Sequence, residues 1–283
     1  MDYPENYGGL DGQNSALENS AIVVLAVPYD ETSTWGKGAD KGPDAILEAS
    51  ANMELYDIET DSEVYKKGIF TAPPVLEKSS PEKMVDAVQQ AAAHYLAMDK
   101  FVVGLGGEHS VSTGFVRAYA EKFKNLSVLQ IDAHTDLRPS YNGSKYNHAC
   151  VMSRVKELCP IVQVGIRSMD VVEKPFLNKR RIFLAEDIVG HTAWMYNAVE
   201  MLTENVFITI DLDGLDPSIM PSTGTPEPGG LLWYELISFL KKVIKNKNVV
   251  GFDVVELAPN EHNRAPDFLA SKLIYKLLSY KFQ

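Results

Sequence analysis

Three short stretches carry side chains whose types and spacing point to chemistry. "DAHTD" sets Asp132, His134 and Asp136 at alternate positions after the apolar run "LSVLQI". "FITIDLD" closes a second apolar run with Asp211 and Asp213, two apart. "FVVGLGGEH" closes a third with Gly106, Gly107, Glu108 and His109. Alternation places residues i, i+2 and i+4 on one face of an extended chain. Ligands of open parallel sheets bind beyond the carboxyl ends of the strands. His109, Asp132, His134, Asp136, Asp211 and Asp213 therefore predict one metal centre. Four crowded carboxylates push each other's pKa values up, and two divalent cations would cancel their charge. Such a pair, about 3.5–4 Å apart, turns water into a nucleophile at neutral pH. Oxygen-rich ligation with two imidazoles suits Mn²⁺ better than a thiolate-seeking metal. A lone Asp-x-Asp after a strand is more often a cap or turn. Three clusters of complementary ligand types at three strand ends are not explained that way. His94 and His191 fall in helical or helix-entry context and are read as structural, and His262 lies in a loop and stays open.

The elements that must position these groups alternate along the chain. Short β-branched runs predict strands near 22–27, 101–105, 127–132, 161–166, 182–185, 206–211 and 249–255, with an eighth around 67–71. Between them lie amphipathic stretches. "GPDAILEASANMELY" has Pro43 at its first helical position, and "SPEKMVDAVQQAAAHYLAM" has Ser80 as cap and Pro81 at N1. "SVSTGFVRAYAEKF", "TAWMYNAVEML", "LLWYELISFLKKVIKN" and "PDFLASKLIYKLLSY" continue the pattern. Such alternation predicts an α/β fold with a mostly parallel sheet covered on both faces. Three long non-helical stretches, 28–42, 133–148 and 212–230, are read as functional loops. "GLGG" at 104–107 lacks the third glycine of a dinucleotide fingerprint.

The bulk properties agree with one large domain, 1–283, with 1–20 as an N-terminal extension. The 283 residues are 45% hydrophobic and 23% charged, a balance that supports a single core. Acidic residues exceed basic ones by 38 − 27 = 11, and no basic run is longer than "NKRR". Nucleic acid and anionic membrane are therefore disfavoured as partners, and a cationic ligand fits better. The polar, acidic opening "MDYPENYGGLDGQNS" predicts no secretory leader, and the two cysteines, Cys150 and Cys159, fit a cytoplasmic, reducing setting.

"GGEHS", "DAHTD", "DLDGLDP" and "DVVELAP" resemble the arginase/agmatinase (ureohydrolase) family in order and separation, and "VPYDETSTWGKGADKGPDAILEAS" is similar to the agmatinase branch. The resemblance implies a three-layer α/β/α domain with an eight-stranded sheet and two Mn²⁺ per subunit. It implies hydrolysis of a guanidino group to urea and an amine, and homotrimers or homohexamers. It assigns one metal to His109, Asp132, Asp136 and Asp211, and the other to Asp132, His134, Asp211 and Asp213, with Asp132 and Asp211 bridging. His148 in "KYNHACVM" matches the family's proton-shuttling histidine, and Asp136 shares that proton traffic. Glu256 matches the carboxylate that pairs with the substrate guanidinium, a planar group suited to bidentate recognition. The residues 220–230 are expected to shape the mouth. The chain departs from the family pattern at Pro139, Ser140 and Asn147, and "NEHNRAPD" follows "ELAP". These loops bear on the substrate tail. The expected substrate is agmatine, giving putrescine. The alternatives are guanidinobutyrate, guanidinopropionate or aminopropylagmatine, or a catalytically idle metal-binding member. Arg138 would favour a carboxylate-ended tail if it faced the substrate.

Overall fold

The computed structural model describes residues 6–283. Eight strands form one sheet: β1 (Ile22–Val27), β2 (Ile69–Ala72), β3 (Phe101–Gly106), β4 (Leu126–Ile131), β5 (Ile161–Ile166), β6 (Ile182–Leu184), β7 (Asn205–Asp211) and β8 (Asn248–Val255). Their order is β2-β1-β3-β8-β7-β4-β5-β6, and every pairing is parallel. A parallel sheet needs cover on both faces because its crossovers run over them. Among the described residues eight α-helices accompany it: α1 (Gly42–Ser50), α2 (Pro81–Ala97), α3 (Ser112–Lys122), α4 (Val151–Val155), α5 (Ala185–Ile188), α6 (Ala193–Met201), α7 (Trp233–Asn246) and α8 (Ala265–Lys281). Strand side chains alternate between two cores. Ile22, Val103, Ile131, Ile208 and Val254 pack with α1, α6, α7 and α8, while Val23, Val102, Val128, Phe207 and Val255 pack with α2, α3 and α4.

Local chemistry explains the helix starts. The Ser80 hydroxyl accepts from the Lys83 N–H, so α2 begins where the cap and Pro81 predict. The pattern read as one helix over 42–56 stops at Ser50. Beyond it the chain turns to place Asp57, which accepts from the Thr60 N–H and hydroxyl. The stretch read as an extension is anchored from residue 6 onward, and residues 1–5 lie outside the described residues. Tyr7 is fully buried and its hydroxyl donates to the Ser271 carbonyl of α8 at 2.7 Å.

The strand order matters most for the site. β3 and β4 follow one another in the chain, yet β8 and β7 lie between them in the sheet. The four strands β3-β8-β7-β4 thus present neighbouring carboxyl ends, the place where such sheets bind ligands.

Candidate metal centre

Each of those four strands delivers a chemically active residue. His109 follows β3, Glu256 follows β8, Asp211 ends β7 and Asp132 follows β4. Glycine permits the close approach. A Cβ on Gly214 would lie 2.8 Å from the Asp132 nitrogen, and one on Gly107 would lie 2.1 Å from the Tyr29 carbonyl oxygen.

The structure gathers all six expected ligands. His109 Nδ1 lies 3.1 Å from Asp132 Oδ2, 3.0 Å from Asp136 Oδ2 and 3.3 Å from Asp211 Oδ2. His134 Nδ1 lies 3.0 Å from Asp213 Oδ2 and 3.6 Å from Asp132 Oδ1. Two compact ligand groups result, His109–Asp132–Asp211 and Asp132–His134–Asp213. Asp132 belongs to both. Asp211 belongs to the first, with its Oδ1 accepting the Asp213 N–H at 2.9 Å.

Two local expectations need correction. Alternation was to place Asp211 and Asp213 on one face, but β7 ends at Asp211 and Asp213 sits in a 3₁₀ turn. Alternation was to aim Asp136 as well, but its backbone has φ 52°, and this left-handed turn directs it. Glu256 has φ 67°. Side chains with a Cβ adopt such φ values at a cost of order 1–3 kcal/mol, and these residues cluster at functional sites. The Glu256 N–H donates to the Gly107 carbonyl at 2.7 Å, and the Glu256 carboxylate accepts the His109 N–H at 2.7 Å.

The donor set fits cations. His109 is buried, and its Nε2 is held 2.9 Å from the Thr209 hydroxyl. Its Nδ1 makes no aligned hydrogen bond, although three carboxylates surround it. A buried nitrogen left so costs about 1–3 kcal/mol, and a metal ion would remove that penalty. Protons here occupy the place of positive charge. Burial works against charge on His134, yet Asp213 and Asp132 push it up to about 12. Asp136 is pushed up to about 7, by burial first and by Asp132 second. Burial, with Asp213 and Asp132, also raises Asp211 well above the carboxylate range. Glu256 is raised by burial and then by Glu108.

The cleft above the centre is lined by His148, Arg138, Tyr141, Trp35, Met169, Asp170, Gly224 and Thr225, together with His109, His134, Asp136, Asp211 and Asp213. Gly224 and Thr225 are the part of 220–230 that lines this cleft. Asn147, a departure from the family pattern, caps the turn that carries His148 by accepting the Ala149 N–H at 3.0 Å. Arg138 reaches the cleft, but its Nη2 donates to Asp170 Oδ2 at 3.1 Å, and its guanidinium lies 4.4 Å from the Tyr141 ring centre. His94 lies edge-on to Tyr95 in α2, and His191 and His262 are exposed away from the centre.

Several supporting residues carry no role in the sequence reading. Gln130 donates to Asp132 Oδ2 at 2.6 Å and is itself held by Gln163. Thr209 orients His109. Glu173 accepts from the Thr135 hydroxyl and the Leu137 N–H, both at 2.8 Å, and so fixes the loop after Asp132. Gln130 and Thr209 had one signal: each is a polar residue two positions before a ligand within an otherwise apolar strand.

Comparison with known proteins agrees with this geometry. The model of the arginase family matches residues 20–279. The N(1)-aminopropylagmatine ureohydrolase of Synechocystis sp. is 40% identical over 277 residues, covering 94% of this chain and 90% of that one. The agmatinase of Bacillus cereus is 32% identical over 294 residues, covering 98% of both chains. The crystal structure of the agmatine ureohydrolase of Thermoplasma volcanium superposes with a TM-score of 0.86 at 29% identity, covering 98% of this chain and 94% of that one. The chain belongs to the arginase family, and it is a ureohydrolase, a metal-dependent enzyme that hydrolyses a guanidino group to urea.

Proposed function

We propose that this ureohydrolase uses two Mn²⁺ ions and acts on a guanidino compound with an unbranched, cationic amine tail. His109, Asp132, Asp136 and Asp211 would hold one ion, and Asp132, His134, Asp211 and Asp213 the other. When bound, the ions make water nucleophilic at neutral pH and neutralise developing negative charge. The chain's own residues do the rest. Glu256 pairs with the guanidinium; its Oε1 already accepts the His109 N–H, which leaves Oε2 free for the substrate. A charge-assisted pair of this kind contributes roughly 1.5–3 kcal/mol. The nitrogen that leaves with the tail needs a proton, and His148 and Asp136, both lining the cleft, are the groups that hold and move it.

The engagement of Arg138 carries the choice of tail. Tied to Asp170 through Nη2 and stacked on Tyr141, its guanidinium already has an anionic partner, which disfavours capture of a substrate carboxylate. Arginine or guanidinobutyrate would therefore bury an unpaired carboxylate, at a cost of several kcal/mol. Trp35, 83% exposed at the mouth, suits a tail ammonium instead. Agmatine has one tail ammonium and its aminopropyl extension has two. The 40% identity to an aminopropylagmatine ureohydrolase, against 32% to an agmatinase, favours the longer compound. We infer a homo-oligomer, trimer or hexamer, working in the cytoplasm; no helix among the described residues is long and apolar enough to cross a membrane. Urea release from aminopropylagmatine, agmatine, guanidinobutyrate and arginine tests the substrate. The expected order of kcat/KM is the order given. A preference for either carboxylate-bearing compound refutes the tail assignment.

A further inference from the structure

We propose that Glu108 and Thr32 fix the tautomer of His148, so that Nδ1 carries the proton and Nε2 is the nitrogen that exchanges protons in the cleft. The proposal rests on the reading of His148 as the proton carrier and supplies what that reading lacks, a reason for one ring nitrogen to be the active one.

Three loops meet at this point. Thr32 comes from the loop between β1 and α1, Glu108 follows β3, and His148 opens the turn before α4. The Thr32 hydroxyl donates to Glu108 Oε1 at 2.5 Å. The His148 N–H donates to Thr32 Oγ1 at 3.0 Å. His148 Nδ1 lies 3.3 Å from the same Oγ1. A hydroxyl has one proton and two lone pairs. Its proton goes to Glu108 and one lone pair takes the backbone N–H. Only a lone pair remains for Nδ1, so Nδ1 must be the donor, and the neutral ring keeps its own lone pair on Nε2.

The count holds because Glu108 is saturated. Its Oε2 accepts the Thr32 and Ser33 N–H groups at 2.6 and 2.9 Å, and its Oε1 accepts the Thr32 and Ser110 hydroxyls, both at 2.5 Å. Two backbone N–H groups on Oε2 and two hydroxyls on Oε1 fill the carboxylate, and Oε1 is the acceptor for the Thr32 proton. The arrangement is costly, since Glu108 is fully buried and raises Glu256. It returns a fixed loop and a fixed ring. Burial disfavours charge on the His148 ring. In a neutral imidazole the tautomer is an open choice unless a partner sets it. Thr32 and Glu108 are thus positioning residues, acting on the substrate only through His148.

The test uses Thr32→Val, which keeps the shape and removes the hydroxyl, and Thr32→Ser, which keeps the hydroxyl. Thr32→Ala replaces the valine variant if that fails to fold. The full chain is loaded with diamagnetic Zn²⁺ and labelled with ¹⁵N-histidine, and the ring shifts of His148 report the tautomer without any turnover. Wild type and Thr32→Ser are expected to show Nδ1–H, and Thr32→Val a shift toward Nε2–H. With Mn²⁺, Thr32→Val is expected to lower kcat by about tenfold or more while KM holds within about twofold, and Thr32→Ser to stay close to wild type. An Nδ1–H ring in Thr32→Val overturns the proposal. So does loss of kcat in Thr32→Ser equal to that in Thr32→Val, or a changed tautomer with unchanged kcat. If wild type releases urea from no guanidino compound, the functional reading falls, and the ¹⁵N measurement still decides the tautomer.

Discussion

Two acidic clusters in this chain are built on opposite terms. Beside α7 and α8, Asp57 and Glu59 meet Lys241 and Lys276. Lys276 Nζ lies 2.9 Å from Asp57 and 2.7 Å from Glu59, Lys241 Nζ lies 2.6 Å from Glu59, and the Tyr280 hydroxyl donates to Glu59 at 2.6 Å. Two carboxylates face two ammonium groups, and the account closes within the chain. At the strand ends, Glu108, Asp132, Asp136, Asp211, Asp213 and Glu256 crowd around two histidines, and Asp136 and Glu256 hold left-handed backbone. Arg167 adjoins this cluster but gives its donors to carbonyls, among them that of Asp213 at 2.6 Å. The first cluster stabilises the fold. The second leaves its charge for a ligand from outside, and its raised carboxylates show the strain of waiting for one.

The largest effect should follow from the residue shared by both ligand groups. Asp132→Asn is expected to lose both metal equivalents together and to reduce urea release to background. Elemental analysis of the purified variant checks this, and retention of two full equivalents would break the assignment. Glu256→Gln should keep its metals and lose kcat/KM by about 10- to 150-fold, the kinetic equivalent of roughly 1.5–3 kcal/mol. The same change removes a buried carboxylate whose pKa is raised in the fold. The folded state disfavours its charge, so the metal-free variant should melt a few degrees higher, on a scale of about 2–4 °C per kcal/mol. Calorimetry in the presence of chelator reads this, and a lower Tm counts against the contrast between the clusters.

The smallest effect lies in the balanced cluster. Its lysines and Tyr280 hold Glu59 down to about 2, well below an ordinary carboxylate. That stability is fully present above the unfolded pKa, about 4.3, and is lost as pH falls from there through about 2. Glu59 is 41% exposed, so screening keeps the contribution below about 1 kcal/mol. Glu59→Gln should lower Tm slightly at pH 7, narrow the difference from wild type on acidification, and leave metal content untouched. A Glu59→Gln protein with altered metal content would show that the two clusters are coupled.

The clustering of candidate ligands was legible because residue type and strand-end position report it directly. His109, Asp132, His134 and Asp211 needed no tertiary knowledge beyond three strands ending together. The routes of Asp136 and Asp213 were not legible, because a left-handed residue and a 3₁₀ turn replace the alternation that seemed to aim them. Strand positions came from apolar runs, whereas the insertion of β8 and β7 between β3 and β4 is a property of the crossovers, which leave no local mark. Thr32, Gln130, Thr209 and Glu173 stayed hidden because their work lies in pairings made across the fold or within its loops. Arg138 shows the converse: its type offers a partner to a carboxylate-ended tail, and only the structure shows that Asp170 and Tyr141 already hold it.

If the strand-end cluster is an incomplete charge arrangement, two cations should finish it. Adding Mn²⁺ in steps to chelator-treated protein, with urea release from agmatine and aminopropylagmatine followed at each step, tests it most directly. The expected result is no release without metal, saturation at two equivalents per chain, and no saturable response in Asp132→Asn. Full activity under chelator, or saturation at one equivalent, would contradict it.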